Sequence, residues 1–221
     1  MRSRTICRII WIPSLVALVA LLGLNIKAPS AASAPKPLKP FVSEDKVIAL
    51  HVPSNWKAKQ SGVPGGSSVV KISPGGGVVF NITGDIVGSI IADVDRATSA
   101  AMAGVPEGVG AMPGMPTRPR KSALQMLHEV QGKKLAEAQA DYRDGETRKL
   151  MVAGHDALLT PFTFTTVSGF TPTPVVGERA TFVGRDLHYS VIYRCRREDE
   201  KALLPVLRKM LDSLRVEAQG G

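Results

Sequence analysis

Val176 to Leu214 reads VGERATFVGRDLHYSVIYRCRREDEKALLPVLRKMLDSL, and this stretch decides the fold. In its first part Ala180 and Phe182 alternate with Arg179 and Thr181. A period of two is the mark of a half-buried strand. Gly184-Arg185-Asp186 then turns the chain. From Leu187 to Cys195 the alternation resumes. Leu187, Tyr189, Val191, Tyr193 and Cys195 share one face, and His188, Ser190, Ile192 and Arg194 share the other. The period then changes to 3.6. Leu203, Leu204, Leu207, Met210, Leu211 and Leu214 form the apolar stripe of a helix from about Glu198 to Leu214. Glu198, Asp199 and Glu200 stand at its start, where carboxylates favour the helix dipole. Lys201, Arg208, Lys209 and Arg215 make its solvated side.

Working back from there, Arg148 to Val152 and Ala157 to Val167 read as strands around a Gly154-His155-Asp156 turn. Ser122 opens a second helix, with Leu124, Leu127, Val130, Leu135 and Ala138 on its apolar side and an end near Asp141. Gly132 weakens its middle by ~1 kcal/mol relative to alanine. Val47 to Val52, Val69 to Ser73 and Val78 to Thr83 are further strands. The last two form a hairpin across Pro74-Gly75-Gly76-Gly77. This order predicts an α+β fold: an antiparallel β-sheet of six to seven strands with helices packed on its faces.

The N-terminus reads as an address. Arg2, Arg4 and Arg8 precede the apolar run Ile9 to Leu24, and small residues follow around Ala28 to Ala34. That is the pattern of a cleaved export signal or an uncleaved anchor over residues 1–34. Either places the rest outside the cytoplasm, periplasmic or secreted, because the arginines hold the start inside. Residues 35–40 are a Pro-rich linker, and the domain is expected over 41–217. Within it, residues 97–120 hold four Gly, four Pro and three Met with no period, and read as a flexible insertion.

The whole chain of 221 residues carries +9, but residues 1–34 hold four of the 28 basic side chains and none of the 19 acidic ones. The remainder therefore has 24 against 19, or +5. That permits contact with a protein partner or an anionic membrane surface without demanding it. It gives no footprint for nucleic acid. Cys195 is the only cysteine beyond residue 34, so no disulfide braces the domain, and it reads as a small buried apolar residue.

The chain resembles the PsbP-like superfamily, which includes the extrinsic photosystem II protein PsbP, DcrB-type bacterial envelope proteins and a eukaryotic Ran-binding relative. The stretches that carry the resemblance are IALHVPSNW within Val47 to Trp56, GHDALLTPFTFTT at Gly154 to Thr166, the hairpin Gly184 to Tyr189, and the closing helix Leu203 to Leu214. The resemblance implies a non-catalytic binding or assembly module at a membrane face. It supplies no catalytic set to carry across, and the insertion at 97–120 departs from it.

No motif fixes a reaction, a metal or a cofactor. His51, His128, His155 and His188 have no metal-ligand spacing. Asp141, Asp144 and Glu146 are too few oxygens for a calcium loop and stand beside Arg143 and Arg148. Arg194, Arg196 and Arg197 form a local basic cluster that could meet an anion or a partner, with Glu198 to Glu200 beside it. Two further readings stay open. A small hydrolase would bring His155 or His188 to a carboxylate in a cleft. A lipid or small-molecule carrier would need an enlarged apolar cavity between sheet and helices.

Overall fold

The computed structural model describes residues 34–62, 68–86, 121–168, 171–184 and 187–217, together with Ile90, Ile91, Asp93, Val94 and Ala97. The signal segment, the loop near Gly65, the turn at Arg185-Asp186 and nearly all of the 97–120 insertion lie outside the described residues. The strands are β1 (Leu38–Val42), β2 (Ile48–Pro53), β3 (Lys57–Gly62), β4 (Ser68–Gly75), β5 (Val78–Asp85), β6 (Ala140–Asp144), β7 (Arg148–Val152), β8 (His155–Ser168), β9 (Thr171–Val183), β10 (His188–Arg196) and β11 (Arg215–Val216). The helices are α1 (Ala123–Ala138) and α2 (Glu200–Asp212), the latter entered through a 3-10 turn at Arg197–Asp199. Ile86, Ile90, Ile91, Asp93, Val94 and Ala97 are also helical.

Eight strands form one antiparallel sheet in the order β3-β4-β5-β10-β9-β8-β6, with β7 also paired to β8. β1, β2 and β11 form a second, three-stranded sheet. The α+β sandwich is as expected, with eight strands in the main sheet rather than six to seven. The additional edge strands, β3 (KAKQSG) and β6 (ADYRD), have no apolar alternation because edge strands face water on most sides. The linker expected over residues 35–40 is also partly a strand. Lys39 and Pro40 pair with Val52 and His51, and β1 tolerates a proline because it has a neighbour on one side only.

Alternation decides which face is core. β5 and β10 bury every second residue along their lengths. Phe80, Ile82, Tyr189, Val191, Tyr193 and Cys195 face α2 and the small sheet, where they meet Leu203, Leu207, Met210 and Leu214. β9 instead buries eight residues in a row, Val175 to Phe182, because α1 packs over one of its faces while Val176, Ala180 and Phe182 on the other join the main core and Glu178 takes Arg208 of α2. Ala153 and Gly154, both at positive φ, make the two-residue turn between β7 and β8 that pairs Val152 with His155. His155 therefore begins the strand instead of belonging to the turn.

Candidate functional site

The second face of the sheet is polar at its centre. Thr160, Arg179 and Thr181 point toward α1 and are nearly fully buried. α1 starts at Ser122, whose hydroxyl accepts the Gln125 amide while the Gln125 side chain accepts the Ser122 amide. The residues α1 then buries are Ala123, His128 and Gly132, not the leucine side expected from the sequence. A polar floor calls for a polar or small underside. The His128 ring bonds Thr181 Oγ1 at 2.8 Å and Thr160 Oγ1 at 2.7 Å. Arg179 donates to the His128 carbonyl at 2.6 Å and to Asp144 at 2.9 Å. Burial, and then the Arg179 charge, push the His128 ring down to about 4. The ring is neutral at pH 7 and serves as a strut.

α1 is anchored over β6, β8 and β9, and among the described residues it stands beside β5 and β10 rather than over them on this face. Between them lies a crevice of about 450 Å³. Leu127, Val130 and Leu135 of α1 line it from above, Ile91 and Ile192 add to its apolar wall, and Thr83, Asp85, His188 and Ser190 form its floor. Val130 is 52% exposed. His188 Nδ1 is buried and has no hydrogen-bond partner among the described residues. Burial, only partly offset by Asp85, holds this ring below its ordinary value, so it is neutral at pH 7. Lys134 stands exposed at the rim. The volume is within the ~300–1,000 Å³ usual for small-molecule sites, and a mostly apolar wall with few polar groups is their usual chemistry.

Ser190, His188 and Asp85 share this floor, and His188 is the register partner of Asp85 across β10 and β5. No hydrogen bond links His188 to either one among the described residues. The strands here are interior, so their amide groups are committed to the ladders on both sides and offer no oxyanion donors. His155 is on the other face, stacked on Phe182 with ring centres 6.0 Å apart. His155 thus stands apart from the crevice, and His188 shares its floor with Asp85 with no hydrogen bond between them among the described residues. Among the described residues, no group of three His, Cys, Asp or Glu side chains is placed to hold a metal.

The arginine cluster disperses as well. Arg194 lies 5.3 Å from the Phe164 ring centre, and Arg196 pairs with Glu198 at 3.2 Å. Arg197 is exposed and lines crevices with Arg143 of β6. In the sequence Arg143 reads only as a neutralising neighbour of Asp141, Asp144 and Glu146. The sequence also places Arg208 on the solvated side of α2. In the structure the Arg208 guanidinium reaches back to Glu178, which is buried on β9.

No family model and no curated protein matches the chain. Several solved structures are similar to it. Cyanobacterial PsbP (CyanoP) from Synechocystis sp. PCC 6803 is 7% identical with a TM-score of 0.45, over 85% of this chain and 97% of that one. Protein PA94 of unknown function from Pseudomonas aeruginosa is 10% identical with a TM-score of 0.42, over 82% and 98%. LpqN of Mycobacterium tuberculosis, involved in cell envelope biogenesis, is 9% identical with a TM-score of 0.37, over 82% and 91%.

Proposed function

We propose that this chain is a non-catalytic binding module that works outside the cytoplasm, with the crevice between α1 and the β5–β10 pair as its ligand site. The apolar part of a small amphiphilic molecule fits the wall of Leu127, Val130, Leu135 and Ile192, with His188 Nδ1 supplying one directed hydrogen bond. The observation that carries this reading is the crevice itself. Apolar residues of α1 that a sealed helix would press into the core line a crevice whose floor holds a buried nitrogen without a hydrogen-bond partner among the described residues. The basic, then apolar, then small-residue start of the chain supports work beyond a membrane. Among the described residues, no helix is long and apolar enough to cross one.

The test is a titration with N-phenyl-1-naphthylamine, a neutral fluorophore that brightens in apolar surroundings. Saturable one-to-one binding is expected, and Leu127→Trp, which fills the crevice, should weaken it by about tenfold or more. Equal binding by the folded Leu127→Trp variant would sink the reading. Hydrolysis of a short-chain nitrophenyl ester that disappears in Ser190→Ala would favour the enzyme reading instead.

A further inference from the structure

Eight arginines fall among the described residues, and their commitments differ. Arg148 and Arg208 pair with Glu178, Arg179 with Asp144, and Arg196 with Glu198. Arg215 donates to the carbonyls of Asp212 and Leu214. Arg194 is held against Phe164, with no carboxylate partner among the described residues. The guanidinium groups of Arg143 and Arg197 make no hydrogen bond or ion pair among the described residues. These two come from different elements, the edge strand β6 and the 3-10 turn before α2. Yet they line the same two crevices, of about 260 and 400 Å³, which also share Thr163. Phe164, the ring that carries Arg194, lines the larger one. Two arginine charges without a carboxylate partner among the described residues, Arg143 and Arg197, therefore meet at one end of the sheet, while Arg194 lies over Phe164 on the opposite face.

From this convergence we propose that Arg143 and Arg197 form a site for a phosphate monoester dianion, independent of the apolar crevice. The planar guanidinium fork matches the paired oxygens of a phosphate, and the Thr163 hydroxyl on the shared wall can donate a further hydrogen bond. Acidic residues also stand around the site. Asp144 and Glu178 are spent on Arg179 and on Arg208 with Arg148. Asp141 and Glu200 also line these crevices, one each. These two charges repel any anion, a dianion the more, so preference rests on acceptor geometry: a phosphate has enough oxygens to engage both forks and Thr163 at once, and a carboxylate does not. The phosphate can sit on a soluble molecule or on a lipid headgroup, since the chemistry presented to the two arginines is the same.

The experiment measures binding of the whole chain to glycerol phosphate by calorimetry, and to phosphatidylcholine vesicles with and without phosphatidic acid by co-sedimentation. Arg143→Ala and Arg197→Ala should each weaken whichever probe binds by about tenfold. Arg196→Ala, which removes a guanidinium already paired with Glu198, should leave it unchanged. Both single variants alter exposed side chains, and circular dichroism checks that they fold. Binding of glycerol phosphate would assign the source to soluble esters, and binding to phosphatidic acid vesicles alone would assign it to the headgroup. Binding of neither probe, acetate competing as well as phosphate, or losses no greater than in Arg196→Ala would overturn the proposal.

Discussion

The Arg208 guanidinium of α2 clasps the buried Glu178 carboxylate of β9 with two bonds, Nη2 to Oε1 at 2.5 Å and Nε to Oε2 at 3.0 Å. Tyr193 donates its hydroxyl to the same carboxylate, and Arg148 stands 3.6 Å away. One anion thus ties the closing helix, the central strands and β7 together. Burial alone would raise the Glu178 pKa. The bonds from Arg208 and Tyr193 and the charges of Arg208 and Arg148 outweigh it and hold the carboxyl below its ordinary 4.5.

Arg208→Ala should therefore destabilise the protein by about 2 kcal/mol. This is below the ~3–5 kcal/mol for breaking a fully buried pair, because Arg208 itself is 47% exposed and Arg148 remains. Urea unfolding at neutral pH reads the difference. The lowered carboxyl adds stability that is complete above the unfolded value near 4.5 and fades as pH falls through the lower folded value. Glu178→Gln should flatten stability between pH 5 and the acid limit, as well as lowering it at pH 7. An unchanged acid profile in that variant would show that other carboxylates dominate.

His128 makes a second, separate pH prediction. Its folded value is lowered to about 4 from 6.5, so the unfolded chain takes up a proton first as the solution is acidified. Stability from this group is complete above pH 6.5 and declines between 6.5 and about 4. His128→Gln keeps a hydrogen-bonding side chain without the titration, so its unfolding midpoint should fall less than the native one between pH 7 and pH 5. His128→Ala removes one partner each from Thr160 and Thr181, which keep Thr147 and Gln131, and opens a buried void, costing about 2–4 kcal/mol.

Gly132 reverses an expectation from helix propensity. Replacing a mid-helix glycine with alanine ordinarily stabilises by ~1 kcal/mol. Here a Cβ would sit 2.6 Å from Arg179 Nη2 and 2.8 Å from its Cζ. Arg179 is 3% exposed and pinned by the His128 carbonyl and Asp144, so its fork has nowhere to go. Gly132→Ala should lower stability by about 1–3 kcal/mol, measured as a shift in urea midpoint with an unchanged slope. A gain would mean that the arginine can move aside.

Cys195 should be chemically quiet in the folded protein. It is fully buried, and burial with the charges of Asp199 and Glu200 pushes its thiol up to about 11. Alkylation followed by mass spectrometry of its peptide should show slow labelling in buffer and rapid labelling in denaturant. Fast labelling in buffer would contradict the packing of β10.

These residues also show how much could be read from the sequence. β5, β10 and α2 were legible because a single apolar period runs through each, and burial follows it directly. α1 was legible as a helix but not in its orientation. Its leucines invite a core that the sheet does not offer, since the facing strands present Thr160, Arg179 and Thr181. The underside of α1 was then chosen by hydrogen bonding and by the room Arg179 needs at Gly132, and neither leaves a periodic trace. The arginine pair was illegible for a related reason. Adjacent side chains at a strand end diverge, while Arg143 reaches Arg197 from 54 positions away in the chain.

Strand β3 closes one border of the large sheet and pairs only with β4 among the described residues. Its Lys57 and Lys59 are exposed along that border. A second molecule approaching side by side would have to bring matching ammonium groups together before any main-chain bond could form. Concentrated solutions of this protein should accordingly resist fibre growth through that border, and replacing both lysines with threonine should remove the barrier.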